Sequence, residues 1–181
     1  MLNDKQTAQV KTRLFSNPDY KVYAVIDGAS CPELRYKIYD WEPISECLWS
    51  GHLEPDVEET APYLALLQHD HPFTDWLIQN GWGRHWNIFI TSTADFRSFR
   101  TQMKKLQLVR SPEGKTLLFR FYDPRVLSIF LPTCDGEQLE EMFEEVNDYF
   151  IEKPEADALL VNRFDFEVEK LVSETFELQT D

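Results

Sequence analysis

WNIFITSTADFRSFRTQMKKL, residues 86–106, carries the reading of the fold in two halves. WNIFIT, residues 86–91, is a run of large and β-branched side chains, the composition of a buried strand. After it, Phe96, Phe99, Met103 and Leu106 recur at steps of three, four and three, which is one face of a helix. Arg97, Arg100, Lys104 and Lys105 fall towards solvent, and Ser92 or Thr93 can cap the start. A strand running into an amphipathic helix points to a sheet covered by helices.

Outward from there the alternation repeats. KVYAVI, residues 21–26, is β-rich and ends on the turn pair Asp27-Gly28. Residues 44–49 form an apolar run that stops at Ser50-Gly51. Residues 61–68 are apolar around Pro62, and strand and helix compete there. Residues 72–80 read as a short helix with Phe73, Trp76 and Leu77 on one side and Gly81 past its end. Residues 106–110 and 116–121 flank Ser-Pro-Glu-Gly at 111–114, a hairpin signal. Pro124 opens a short helix or turn that ends near Pro132.

Asp135 and Gln138 form a capping box for an acidic helix whose core face is Leu139, Met142, Phe143, Val146 and Phe150. Pro154 suits the first turn of a final helix to about Phe176, lined by Leu160, Phe164, Val168, Leu171, Val172 and Thr175. The expected class is α/β in the mixed α+β sense. A central mixed sheet is flanked by helices and followed by a helical acidic C-terminal segment. Residues 1–20 read as an N-terminal helix or arm, 21–132 as the core and 133–181 as the acidic segment.

At 181 residues with 43% hydrophobic side chains, the chain can bury a core of its own. No apolar run approaches the roughly 18 residues of a membrane span, and the N-terminal residues lack a signal peptide's apolar segment. Cys31, Cys47 and Cys134 show no CxxC spacing, which suits a reducing cytoplasm. The net charge is −14, and its distribution is uneven. Residues 135–181 hold 16 acids against Lys153, Arg163 and Lys170, a net of −13 that leaves −1 for the rest. Residues 97–125 carry eight cations against Glu113 and Asp123. A basic stretch followed by an acidic one reads first as intramolecular complementarity and second as a docking surface. The overall field would repel nucleic acid.

Catalytic chemistry finds no constellation. His69-Asp70-His71 is a tight cluster beside Pro72, but no HExxH or Cys/His spacing accompanies it, so it reads as the loop that starts the next helix rather than a metal site. Ser30 and Ser50 lie outside GxSxG, and Cys31 reads as a packed residue after the first strand. Gly81-Trp82-Gly83 lacks a phosphate-loop pattern. Asp27 ends a strand, where α/β enzymes place acids. A small α/β hydrolase or nucleotide-binding enzyme using Asp27, His69 and His71 is therefore the competing reading. No cofactor, small-molecule substrate or membrane partner is expected.

LLFRFYDPRVL, residues 117–127, stands apart. Asp123 before proline is biased away from helix, and Arg125 two residues on can lock the turn through a charge-assisted bond. If Asp123 is buried against an arginine, Asp123→Ala should cost roughly 3–5 kcal/mol. FRFYDPRVL, with AVIDGA at the first strand, CLWSG before Pro55, APYL at 61–64 and GWG at 81–83, resembles domain-of-unknown-function family 4123, in that family's order over about residues 22–132. The matching positions are Asp27, Gly28, Ser50, Gly51, Ala61, Pro62, Tyr63, Trp82, Gly83, Arg120, Tyr122, Asp123, Pro124 and Arg125.

The resemblance implies a non-enzymatic, cytoplasmic adaptor or chaperone of bacterial type VI secretion, which binds a toxic effector and loads it onto the VgrG spike. Many relatives carry a longer helical C-terminal lobe than the residues after Pro132 here would supply. Arg120, Tyr122, Asp123 and Arg125 read first as a structural turn with a partly buried Arg–Asp pair and second as contacts for a protein partner; the resemblance itself does not assign which signature residues touch one. Glu140, Glu141, Glu144 and Glu145, outward with Asp148 on the acidic helix, are expected to offer a face for a basic partner surface.

Overall fold

The computed structural model describes residues 1–110 and 113–179. Its strands are β1 (Lys21–Asp27), β2 (Ser45–Cys47), β3 (Pro62–Leu67), β4 (Asn87–Ser92), β5 (Leu108–Arg110), β6 (Thr116–Leu118), β7 (Asp148–Lys153), β8 (Ala158–Asp165) and β9 (Lys170–Glu177). Its α-helices are α1 (Asp4–Leu14), α2 (Leu34–Trp41), α3 (Pro55–Thr60), α4 (Pro72–Gly81), α5 (Phe96–Leu106), α6 (Pro124–Phe130) and α7 (Gly136–Met142). Seven strands form one sheet in the order β2-β3-β1-β4-β7-β8-β9, while β5 and β6 pair as a separate hairpin. The turn expected at 111–114 falls partly on Ser111 and Pro112, outside the described residues.

The fold is α+β, and its sheet is antiparallel at every described pairing rather than mixed. The expectation of parallel pairs came from strands alternating with helices. That alternation is present: β3, α4 and β4 form a crossover unit whose two strands run the same way. Yet β1 lies between them and pairs with both, so neither touches a parallel neighbour.

Strand β1 is buried on both faces, which explains its unbroken apolar run. Val22, Ala24 and Ile26 face one core with α1, α2 and α4; Tyr23 and Val25 face the other with α5, α6 and α7. Helix α5 buries Phe99, Met103 and Leu106 as the spacing requires. Its cap is Asp95, whose Oδ1 accepts from the Arg97 and Ser98 amides, both at 2.9 Å, and not Ser92 or Thr93. Ser92 still belongs to β4, and its hydroxyl donates to the Glu145 carbonyl at 2.5 Å.

The C-terminal segment differs most from its expectation. The capping box of Asp135 and Gln138 forms, but α7 ends at Met142. Phe150 lies on β7, and residues 158–177 form the β8–β9 hairpin instead of a helix. The chain there is rich in β-branched and aromatic residues, and Asp165 turns it by accepting from the Glu167 amide at 2.9 Å. Asp148, expected outward, is buried on β7; its carboxylate accepts from Thr91 Oγ1 at 2.8 Å and from Arg163. Val168 and Val172, expected to be core residues, are exposed.

Candidate functional site

The motif at residues 120–125 starts just past β6, where the chain leaves the hairpin and enters α6. Asp123 is the N-cap of α6, with Pro124 in the first helical position. Its Oδ1 accepts from the Arg125 amide and from Arg125 Nε, both at 3.0 Å, and its Oδ2 accepts from Arg125 Nη2 at 2.7 Å. Burial pushes the Asp123 carboxyl up, but the bonds and charge of Arg125, with Arg120 nearby, win and hold it below the ordinary range. The expected Asp–Arg lock is present.

Arg120 takes a different partner. Its Nη2 donates to Oδ2 of Asp27, 93 residues away at the end of β1. Asp27 is only 2% exposed and also accepts from Ser30 Oγ at 2.6 Å and the Ala29 amide at 3.2 Å. Tyr122 is buried, and burial pushes its hydroxyl up to about 12. No pattern in the sequence announces a pair so far apart; only the presence of Asp27 and Arg120 in one family signature hinted at it.

Most other signature residues meet at the same end of the sheet. Asp27 faces Pro62 across the β1–β3 ladder, and the Gly28 amide donates to the Ala61 carbonyl at 3.1 Å. A Cβ on Gly28 would lie 2.3 Å from that oxygen, so the chains pass too closely for any side chain. Tyr63 and Trp82 are buried. Gly83 takes φ +76° and donates its amide to Glu152 Oε2 at 2.7 Å, beside the His85 amide on Oε1 at 2.9 Å. Burial raises the Glu152 carboxyl despite these bonds. Ser50 and Gly51 lie elsewhere, by α5, where Lys104 donates to Ser50. These are contacts that hold backbone together.

The residues of the competing enzyme reading are not brought together. The β1–β3 register sets Leu67 opposite Val22, so His69 and His71 follow the far end of the sheet from Asp27, about 16 Å away along the strand at ~3.3 Å per residue. His69 Nδ1 sits 2.6 Å from Asp70 Oδ1, and His71 Nδ1 accepts the Phe73 amide at 3.3 Å as the cap of α4. Burial pushes the Cys31 thiol up to about 12, far from a reactive thiolate. Among the described residues, no group of three or more His, Cys, Asp or Glu is placed to hold a metal ion.

Glu140, Glu141 and Glu144 are exposed, as expected, while Glu145 is half-buried. Glu144 also approaches Lys105 at 3.5 Å, and Glu145 Oε1 accepts from Ser98 Oγ at 3.3 Å, so part of the acidic segment answers the basic helix within the molecule. The surface that sequence reasoning missed is apolar. Leu108, Val109, Leu117 and Leu118 on the hairpin and Val126 and Ile129 on α6 are exposed, Ile129 by 73%. A groove of about 570 Å³ runs between Phe119, Phe130, Val126 and Ile129, with Arg125 on its lip. A second, of about 380 Å³, lies on the other flank of the hairpin against Leu48, Trp49 and Leu53. The three-residue strands were legible, but their exposure was not, because apolar strand residues ordinarily face a core.

The family model described as "Domain of unknown function (DUF4123)" matches residues 22–141, and the chain belongs to that family. The match reaches from β1 into α7 and takes in the hairpin and α6; β7–β9 lie beyond it. No curated protein and no solved structure matches the chain. Among the described residues, no helix is long and apolar enough to cross a membrane.

Proposed function

We propose that this DUF4123 protein is a cytoplasmic, non-enzymatic adaptor that binds a toxic effector and recruits it to the VgrG spike of a type VI secretion system. The observation that carries the reading is the apolar face around the β5–β6 hairpin and α6. Six large hydrophobic side chains are exposed on these two elements, with Leu108 and Leu118 on one face of the hairpin and Val109 and Leu117 on the other, on a chain of net charge −14. Apolar side chains left exposed beside open grooves are the mark of a protein-binding site. The signature residues, by contrast, hold the end of the sheet together and set the base of α6, so their role is to present that face.

Adaptor work also suits the charge. Glu140 and Glu141 lie near the groove that Lys105 and Met142 help to line, which gives the molecule an acidic area beside a basic one. Two partners of different surface charge can then be held at once, and complementarity would set association rate and specificity more than affinity. In the bacterium, deletion of this gene should stop delivery of one effector while the secretion apparatus still fires others. Undiminished delivery of every effector by the deletion strain would refute the proposal.

A further inference from the structure

We infer that the groove between α2 and α3 takes a proline-rich, basic segment of a protein partner in the extended polyproline II conformation, its prolines against Tyr36 and Tyr39 and its arginine or lysine on Glu59. This rests on the adaptor reading for the presence of a protein partner, and adds a second site with the chemistry of the segment it recognises.

Two aromatic side chains stand open to solvent on α2. Tyr36 and Tyr39 lie three residues apart, on one side of the helix, and are 73% and 84% exposed. Both line a groove of about 560 Å³, within the roughly 300–1,000 Å³ of recognition clefts, together with Pro32 before the helix and Pro55 at the start of α3. Gly28 and Ala29 line it too, on the turn held by the Asp27 carboxylate and the Ala61 carbonyl, so the groove is built against the rigid end of the sheet. A helical ligand satisfies its own carbonyls, whereas a polyproline II chain leaves them free. Tyrosine hydroxyls can donate to such carbonyls while the rings pack on proline, and a proline segment already extended has little freedom left to lose.

The charge around the groove is acidic and largely unpaired. Residues 28–60 hold eight acids against two cations, Arg35 and Lys37. Both cations are engaged: Arg35 Nη1 donates to Glu58 Oε2 at 2.8 Å, and Lys37 Nζ sits 4.7 Å over the Trp41 ring. Arg35 is also the one cation that lines the groove among the described residues, and Glu58 neutralises it. Glu59 lines the groove, with Asp56 three residues before it on α3. Glu33, the N-cap of α2, and Asp40 flank Tyr36 at three and four residues' distance. Among the described residues, none of these four carboxylates has an ion-pair partner. A cation arriving here meets unpaired carboxylates, whereas an acidic segment would be repelled by them.

The probe is a synthetic peptide with consecutive Pro-x-x-Pro steps flanked by arginine. One counterpart carries alanine for every proline, and another glutamate for every arginine. The full-length protein should bind the proline–arginine peptide, more weakly as salt rises. Tyr36→Ala and Tyr39→Ala, both at exposed positions that leave the core intact, should each weaken it about tenfold or more. Glu59→Gln should weaken it several-fold and flatten the salt dependence. Ile129→Asp should leave it unchanged, because α6 packs on the core opposite to that of α2 and lines no part of this groove. Any of five results would overturn the inference: equal binding of the alanine peptide, equal or tighter binding of the glutamate peptide, binding that both tyrosine substitutions leave unchanged, binding that Ile129→Asp abolishes, or no binding of the proline–arginine peptide. Capture of purified effector and spike by the same protein is measured separately. Retained capture with no peptide binding removes this inference alone, and absence of capture removes the adaptor reading.

Discussion

Asp27 and Arg120 show how one long-range pair can hold a motif in place. Asp27 is buried and Arg120 reaches it from the segment before α6, so the two partners are unequal. Removing the arginine strands a buried carboxylate, whereas removing the acid frees an arginine that can turn to water. Arg120→Met should therefore cost about 3 kcal/mol in chemical denaturation. Adding Asp27→Asn to it should recover at least about 1 kcal/mol, since the stranded charge is gone. No recovery in the double variant would show that the pair is not the reason for the loss.

The same asymmetry lowers the cost first expected for Asp123→Ala. Its partner Arg125 is largely exposed, so no buried charge is left unpaired. Loss of the helix cap dominates, at about 1–2 kcal/mol. The Asp123 carboxyl titrates below its ordinary value of 3.8, so its stabilisation is complete above that pH and is lost as pH falls through the lower folded value. Asp123→Asn should thus flatten the stability curve below about pH 3.8, which acid titration of the two proteins checks.

At the scale of elements, local signals were read well where a cap and an apolar face agree. Helices α4, α5 and α6 and strands β1 and β4 lie within a residue or two of their expected places. The β8–β9 hairpin failed for a physical reason. Leu160, Phe164, Val168 and Val172 recur at helical spacing, but the spacing of four also satisfies a period of two, and all fall on even positions. The turn between the strands carries no glycine or proline; Glu169 takes φ +52° instead. The residues of the motif were legible as a group, but the Arg120–Asp27 pair and the exposed hairpin depend on tertiary placement. Gly28 offers an element-scale test. Its α-hydrogen faces the Ala61 and Glu59 carbonyls, and a methyl group would lie 2.3 and 2.6 Å from them. Gly28→Ala should lower stability by about 1–3 kcal/mol, with amide exchange accelerated in β1 and β3. Unchanged exchange at Ala61–Tyr63 would mean that the two segments are not in contact.

The whole molecule divides its labour between a rigid end of the sheet and an exposed apolar face. Helices cover both sides of β1, and the family signature packs where β1, β3 and β4 meet the segment before α6. From that base project the hairpin and α6, with cations at their margins and Glu140 and Glu141 on the neighbouring helix. Reversing only Glu140 and Glu141 to lysine tests the acidic area cleanly, because Glu144 and Glu145 have contacts inside the molecule. The paired reversal should weaken one partner's binding at low salt and leave the unfolding stability within about 1 kcal/mol of the parent's. Unchanged affinity for both partners after the reversal, at low salt, would make the area a solvated surface. The most direct test of the proposed adaptor role is the mass, by light scattering during gel filtration, of this protein mixed with purified effector and purified VgrG from the neighbouring genes. A single species containing all three proteins, absent when this chain is omitted, is the predicted result; effector and spike that elute without it, or that associate equally well in its absence, would contradict the account.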